Sequence, residues 1–139
     1  MDTLVATLIA WIAAHSNLTV ADRPHIEIVP RQTMSNLYFG AASTKNFYHL
    51  QAFYLPAKAT VYLPESWRRA SLRDKSILVH ELVHHLQAAN NVRVSCPAAL
   101  EREAYNLQFK WLREQSVKDP YEYSGLNVLT VTLASTCPE

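Results

Sequence analysis

The amino-acid sequence predicts a small α+β domain, and three features of the chain support that class. Residues 4–14 form a mostly apolar run, residues 25–63 contain short alternating segments bounded by prolines, and two helical patterns follow Ser71. One helix, a small antiparallel or mixed sheet and two further helices together make an α+β arrangement. The 139 residues are enough for one hydrophobic core, so we expect a single domain over residues 1–139.

The first half of the chain predicts one helix followed by three short strands. Residues 4–14 are almost uniformly apolar, which indicates a buried helix. Residues 25–29 alternate between two flanking prolines, a pattern typical of a strand at the edge of a sheet. Residues 51–55 and 60–63 are separated by a four-residue connection that begins with proline, and this spacing predicts a hairpin.

The second half predicts two long helices. Ser71 and Asp74 form an S-x-x-D signal, in which the serine hydroxyl caps a free backbone amide. No Gly or Pro interrupts the segment that follows, and the asparagine pair at Asn90 indicates its end. A second helix is predicted from Pro97, because proline is tolerated in a first helical turn. For residues 126–134, helix and strand are equally open.

Composition and charge narrow the classes of function. The chain has a net charge of +1, 49% hydrophobic residues and 18% charged residues, which is an ordinary globular composition. Its densest basic spot is Arg68-Arg69, so we do not expect a nucleic-acid partner. The apolar run at residues 4–14 is too short to cross a bilayer and lacks the basic leader of a secretory signal, so no transmembrane segment is expected.

The most informative motif is the HExxH run from His80 to His84, inside the first of the two long helices. Two imidazoles four residues apart lie on the same helix face, so both can bind one metal ion. Glu81 stands beside them, close to a water on that metal. In zinc metallopeptidases the Zn²⁺ activates this water and the glutamate accepts its proton. The motif therefore predicts Zn²⁺ as the cofactor.

The second long helix offers a third ligand. After a short loop, an antiparallel return of the chain would bring Glu101, about one turn into this helix, toward the two histidines. Two histidines and a glutamate with one open position form the catalytic type of zinc site. Glu103 stays open as the alternative ligand, because it lies at the edge of the apolar stripe of this helix. Alternatively, Glu101 and Glu103 would be exposed acidic residues in the first turn, where negative charge stabilises a helix.

The segments HELVHHLQ (residues 80–87) and ALEREAY (residues 99–105) together resemble the gluzincin class of zinc metallopeptidases. In that class an HExxH helix is followed by a glutamate helix whose carboxylate completes the metal site. The resemblance covers residues 71–112, and the size of the chain is similar to that of the small single-domain members.

The resemblance implies a role for each residue of the motif. Zn²⁺ would be held by His80, His84 and Glu101, and Glu81 would be the catalytic base. Tyr105 departs from the pattern, because many members carry at this position an aspartate that supports a histidine. The resemblance therefore does not identify the group that supports the histidines here.

The leading interpretation is a zinc-dependent peptidase that hydrolyses peptide bonds of a peptide or protein substrate. A non-catalytic zinc-binding sensor or interaction module, and a structural domain with an accidental motif, are the alternatives. We expect residues 60–63 to offer a sheet edge to an extended substrate, although an ordinary paired strand is equally open. The candidates for stabilising the oxyanion are Tyr105, Tyr121, Tyr123 and His85.

The two cysteines help to predict the cellular compartment of the protein. Cys96 and Cys137 each precede a proline outside the predicted helix interiors, where a cross-link is sterically easy. We expect a disulfide between them and, with it, a periplasmic or secreted location. The alternative is a pair of reduced thiols, which is common in cytoplasmic proteins.

Overall fold

A computed structural model describes residues 1–40 and 50–138 and has the predicted α+β fold. Six α-helices and a three-stranded sheet lie in this part of the chain. In chain order the elements are α1 (Asp2–Ala14), β1 (His25–Val29), α2 (Arg31–Phe39), β2 (Phe53–Leu55), β3 (Thr60–Pro64), α3 (Leu72–Ala89), α4 (Pro97–Glu114), α5 (Pro120–Ser124) and α6 (Val128–Ala134).

The sheet is mixed, and β3 is its central strand. Within the described residues the strand order is β1-β3-β2, with β1 parallel and β2 antiparallel to β3. The edge position predicted for residues 25–29 and the predicted hairpin are therefore both confirmed. A 3₁₀ turn at Pro56–Lys58 closes the hairpin, and Ala59 completes it in the left-handed region with φ 46°. All five residues of β3 are buried, as expected for a central strand.

The hydrophobic core lies between α1, the sheet, one face of α3 and the apolar face of α4. Large side chains from α1 and α3 are buried together, each contributing about 1.5–3 kcal/mol when fully removed from water. They are Val5, Leu8, Ile9 and Ile12 of α1 and Leu78, Val79, Leu82 and Leu86 of α3. Because 100° separates successive helical residues, His80 and His84 lie on the opposite face of α3. That face is turned toward α4.

The helices α3 and α4 run antiparallel. Gln108, late in α4, contacts His80 in the first half of α3, whereas Leu100, early in α4, contacts Gln87 near the end of α3. The start of α3 is fixed as the sequence predicts, because the hydroxyl of Ser71 accepts a hydrogen bond of 3.1 Å from the backbone amide of Asp74. The antiparallel return is what brings two helices to one site.

The sequence did not resolve three helices. For residues 126–134 the structure decides in favour of helix α6, which Asn127 caps through its side-chain oxygen. The helix α5 begins at Pro120 and is capped by Asp119. The helix α2 was not predicted, because five of its nine residues are weaker helix formers and only Met34 and Ser35 are buried.

A disulfide joins Cys96, immediately before α4, to Cys137, shortly after α6. The two Cα atoms are 5.8 Å apart and 41 residues separate the cysteines in sequence. The predicted cross-link is therefore confirmed, and it ties the end of the chain to the start of the glutamate-bearing helix. None of the helices in residues 1–40 and 50–138 has the length and apolarity needed to cross a membrane.

Candidate metal centre

The structure brings His80, His84 and Glu101 together between α3 and α4. One ligand atom from each residue lies within 4.8 Å of the other two. The Nε2 atom of His80 is 3.1 Å from Oε2 of Glu101, and Nε2 of His84 is 2.6 Å from Oε1. Bonds of about 2.0–2.2 Å to a tetrahedral zinc ion would place such atoms about 3.3–3.5 Å apart. These three residues, hereafter the metal trio, form a donor set that could hold a metal ion if Nε2 of His84 and Oε1 of Glu101 moved apart.

Both imidazoles of the metal trio are held in one orientation by glutamines. The Nδ1–H of His80 donates to Oε1 of Gln108 at 2.9 Å, and the Nδ1–H of His84 donates to Oε1 of Gln87 at 2.8 Å. A proton held at Nδ1 leaves Nε2 as the atom free to bind a metal. The two glutamines therefore orient both rings with Nε2 toward Glu101.

The glutamines are themselves fixed, because both are almost fully buried, with 3% exposure for Gln87 and 2% for Gln108. The amide of Gln108 donates to the hydroxyl of Ser76 at 3.3 Å. The amide of Gln87 donates at 3.0 Å to the Leu100 carbonyl and at 3.0 Å to the carboxylate of Glu103. These contacts rigidify the orientation of the imidazoles from outside the metal trio.

Glu103 therefore has a different place from Glu101. The sequence left both carboxylates open as the third ligand, and the structure puts only Glu101 against the imidazoles. Glu103 lies one layer further out, as an acceptor for the Gln87 amide. It contributes to the site by holding the glutamine that orients His84.

The electrostatics of the site follow from burial and close charges. Burial raises the pKa of Glu101, but hydrogen bonds and charges from His80 and His84 outweigh it and hold this pKa well below its usual range. Burial lowers the pKa of His84, but the hydrogen bond to Glu101 and the charges of Glu81 and Glu101 raise it to about 9. Burial also raises the pKa of Glu81, which the two histidines only partly counteract. The site thus brings together three groups, Glu81, His84 and Glu101, whose pKa values depart from normal.

Of the proposed oxyanion donors, only Tyr105 lies beside the metal trio. Its ring packs edge-on against His80, with centroids 4.5 Å apart, and burial together with the charges of Glu101 and Glu81 raises its pKa to about 12. Tyr121 packs against Phe109 instead. His85 is buried on another face of α3, where its Nε2–H donates to the Asp22 carbonyl and its Nδ1 accepts from the Tyr54 hydroxyl.

Tyr123 is the fourth candidate oxyanion donor, and it is 42% exposed outside the cavity that contains the metal trio. Tyr105 does line this cavity, and within the described residues its hydroxyl has no protein hydrogen-bond partner. A neutral phenol in this position can donate a hydrogen bond to a group bound in the cavity.

The metal trio opens into a cavity of about 650 Å³ between α3, α4 and the sheet. Glu81 lines the same cavity, beside the two histidines. The sheet contributes Phe53 and Tyr54 of β2 to the lining of the cavity. The expectation that residues 60–63 offer a sheet edge is wrong, because β3 is paired on both sides and buried. The strand at the cavity is its hairpin partner β2, which lies at the edge of the described sheet.

Gln87 and Gln108 are the residues of the site that the sequence analysis missed. A signal for both existed in the helical spacing. Gln87 lies three residues after His84 on the same helix face, and Gln108 lies seven residues, or two turns, after Glu101. A glutamine on a metal-facing stripe is nevertheless also typical of an exposed helix position, so the spacing alone does not assign it.

Comparison with known proteins gives a family for the whole chain. No curated protein and no solved structure matches it. A family model with the description "Domain of unknown function (DUF6647)" matches residues 1–139. The chain, with its metal trio between α3 and α4, therefore belongs to the DUF6647 family.

Proposed function

We propose that this chain is a zinc-dependent peptidase of gluzincin type, with Zn²⁺ bound by His80, His84 and Glu101. The convergence of these three ligand atoms within 4.8 Å is the observation that carries the proposal. Two histidines and a carboxylate are the donor set of catalytic zinc sites, since they leave a coordination position open. Zinc bound there would supply a nucleophilic water at neutral pH and polarise the carbonyl of the bond to be cleaved.

The buried glutamines support a metal site over an accidental motif. A histidine that binds a metal through Nε2 normally donates its Nδ1–H to a fixed acceptor, which sets the tautomer and the ring orientation. Both histidines of the trio have such an acceptor, in Gln108 and Gln87. Each acceptor is in turn held by further hydrogen bonds. This layered support is what a preorganised metal site requires.

Glu81 is the group proposed to move the proton. It lines the cavity next to both histidines but is not part of the metal trio. In the proposed reaction a water oxygen bonds to the carbonyl carbon while Glu81 accepts the proton of that water. The C–N bond then breaks, and the proton passes from Glu81 to the leaving amine. Tyr105, whose hydroxyl has no hydrogen-bond partner among the described residues, would donate a hydrogen bond to the oxygen of the attacked carbonyl.

The outer edge of β2 is proposed to hold the substrate backbone. Among the described residues no strand pairs with β2 on the side away from β3. An extended peptide can add to such an edge as a further strand, so that main-chain hydrogen bonds position it along α3. This role replaces the one expected for residues 60–63.

Metal content and one substitution test the proposal. The purified protein should bind close to one zinc ion per chain, measured by mass spectrometry of the metal, and Glu101→Gln should reduce that content while the exposed Glu65→Gln should not. Glu81→Gln should keep the zinc and lose cleavage of an internally quenched peptide library, typically by 10²-fold or more. Protein without zinc would rule out the site. Bound zinc without cleavage that depends on Glu81 would indicate a non-catalytic zinc-binding module.

We also propose that the protein works outside the cytoplasm. The support is the disulfide between Cys96 and Cys137, because such bonds persist in oxidising compartments and are rare in the cytoplasm. Trapping of free thiols with a maleimide in intact cells tests this. The native protein should not react before reduction, whereas reaction of both cysteines without reductant would place it in a reducing compartment.

A further inference from the structure

The cavity extends along α3 in both directions from the metal trio. On the face of α3 that lines it, Ile77 lies about one turn before His80 and Ala88 lies about one turn after His84. At about 1.5 Å per residue, this stretch is about 16 Å long, which equals about five residues of extended chain. The metal trio lies near its middle. A bound peptide would therefore have space on both sides of the bond that is cleaved.

The walls at the two ends of this cleft are apolar. At the end formed by the start of α3, the lining residues are Ile77 and Leu126. Leu126 is held near this end because the carbonyl of Ser124, two residues earlier, accepts a hydrogen bond from Arg73 in the first turn of α3. At the other end the lining consists of Ala88, Val92, Pro97 and Leu100. Among the described residues that line the cleft, the acidic and histidine side chains are those of the metal trio and Glu81. None of these described lining residues is Lys or Arg.

The segment that contains α6 contributes two apolar residues to the cleft. Leu126, before α6, and Ala134, at its end, both line the cleft, so α6 runs beside it. The exposed Leu129 and Leu133 lie on another face of α6 and do not line the cleft.

We propose that this cleft binds the interior of an extended polypeptide and accommodates apolar side chains on both sides of the scissile bond. The chain is thus an endopeptidase for apolar segments, an inference that rests on the peptidase function proposed above. A charged side chain or a free terminus placed against Ile77 or Leu100 would lose its hydration without gaining a partner from the described walls. An apolar side chain there is stabilised by its burial.

Peptide cleavage tests this specificity. End-blocked, internally quenched peptides that carry Leu or Phe on both sides of the cleaved bond should have a kcat/KM at least about tenfold higher than peptides with Asp or Lys there. Unblocking either terminus should not accelerate cleavage. Preference for charged residues or for a free terminus, with turnover that still depends on Glu81, would overturn this inference and leave the peptidase proposal standing.

A matched pair of variants tests whether the wall that contains Ala88 determines the preference for flanking side chains. Ala88 and Ala89 are adjacent, exposed residues of α3, and only Ala88 lines the cleft. Ala88→Lys should improve cleavage of peptides with Asp at the nearer flanking position by about tenfold or more, through a new charge pair close to the wall. Ala89→Lys should leave the preference unchanged. The same change in both variants would contradict the assignment of this wall.

A binding measurement separates specificity from turnover. Zinc-loaded Glu81→Gln protein should bind end-blocked Leu-flanked peptides at least about tenfold more tightly than Asp-flanked ones, measured by fluorescence anisotropy. Equal binding of both peptides would overturn the inference. Failure of the protein to hold zinc, or wild-type protein without cleavage that depends on Glu81, would refute the peptidase proposal itself and this inference with it.

Discussion

Replacing Gln108 by methionine tests whether the glutamines serve the metal. Methionine has a similar length but cannot accept the hydrogen bond from the Nδ1–H of His80, which is 2.9 Å long in the native protein. Removing a group that orients a metal-binding histidine typically weakens metal affinity by about 10–100-fold, or about 1.4–2.7 kcal/mol. We expect a loss of zinc affinity in this range for Gln108→Met.

The same substitution should also destabilise the metal-free fold. A buried N–H without a partner costs about 1–3 kcal/mol. With an unfolding entropy of about 2.1 cal/mol/K per residue, the 139 residues give about 0.29 kcal/mol/K, so the Tm should fall by about 3–10 °C. The replacement changes little in packing, because both side chains are unbranched.

Zinc affinity is measured by competition with a fluorescent chelator, and stability by thermal unfolding in the presence of chelator. Gln115→Met is the matched control, since Gln115 is exposed at the end of α4 and should change neither quantity. Gln108→Glu should restore an acceptor and bring zinc affinity back to the native value or above it. A folded Gln108→Met protein whose zinc affinity changes less than about twofold would refute the role of Gln108.

Three further outcomes follow from the structure. Replacing Cys96 and Cys137 by alanine opens a loop of 41 residues, so stability measured by urea unfolding should fall by about 4 kcal/mol while zinc content stays the same. Because the pKa of His84 is about 9, its ring is protonated at neutral pH, and the proton competes with zinc. The affinity for zinc should therefore fall about tenfold for each pH unit below 9. Calorimetry at pH 7 should detect about one proton released for each zinc ion bound. His85→Ala should destabilise the fold by about 2–3 kcal/mol, because both ring nitrogens are hydrogen-bonded, yet leave zinc content unchanged, whereas His84→Ala should lose zinc. Zinc loss in His85→Ala, pH-independent affinity, or no effect of cysteine removal would each contradict the corresponding argument.

The parts of this fold that were predictable are those determined by local sequence. The capping serine at Ser71 and the apolar period of α3 lie within a few residues of the structure they specify, and so does the spacing of His80 and His84. The central position of β3 is different, because a short apolar segment such as residues 60–63 is compatible with pairing on one side or on both. Only the parallel addition of β1, which depends on the rest of the fold, decides it.

The choice of the third metal ligand could likewise not be predicted from the local sequence. Glu101 and Glu103 are two residues apart in one helix, so their difference depends on how α4 rotates and slides against α3. That register is set by contacts far apart in sequence, such as Gln108 with His80 and Gln87 with the carbonyl of Leu100. A glutamine in a sequence does not reveal whether it will be buried as an acceptor. The residues that orient the site were therefore visible only in three dimensions.

The properties of Glu81 distinguish a functional residue from one that is retained only for the stability of the fold. Its side chain is buried, burial raises its pKa, and within the described residues no group forms a hydrogen bond to its carboxylate. A raised pKa means that the charged form at neutral pH destabilises the fold relative to the unfolded chain, whose glutamate ionises near 4.5. A residue retained for stability would not have this property, whereas a proton carrier needs it.

Glu81→Leu should therefore stabilise the metal-free protein, by about 0.5–2 kcal/mol, while abolishing peptide cleavage. Leu82→Ala is the contrasting variant, because Leu82 is fully buried on the core face of α3 and its truncation should cost about 2–5 kcal/mol. Thermal unfolding at pH 7 in chelator measures both, and the gain from Glu81→Leu should disappear as pH falls toward 4, where the carboxyl is neutral in both states. If Glu81→Leu destabilised the fold as Leu82→Ala does, Glu81 would belong to the structural core, and the assignment of a proton carrier at this position would have to be abandoned.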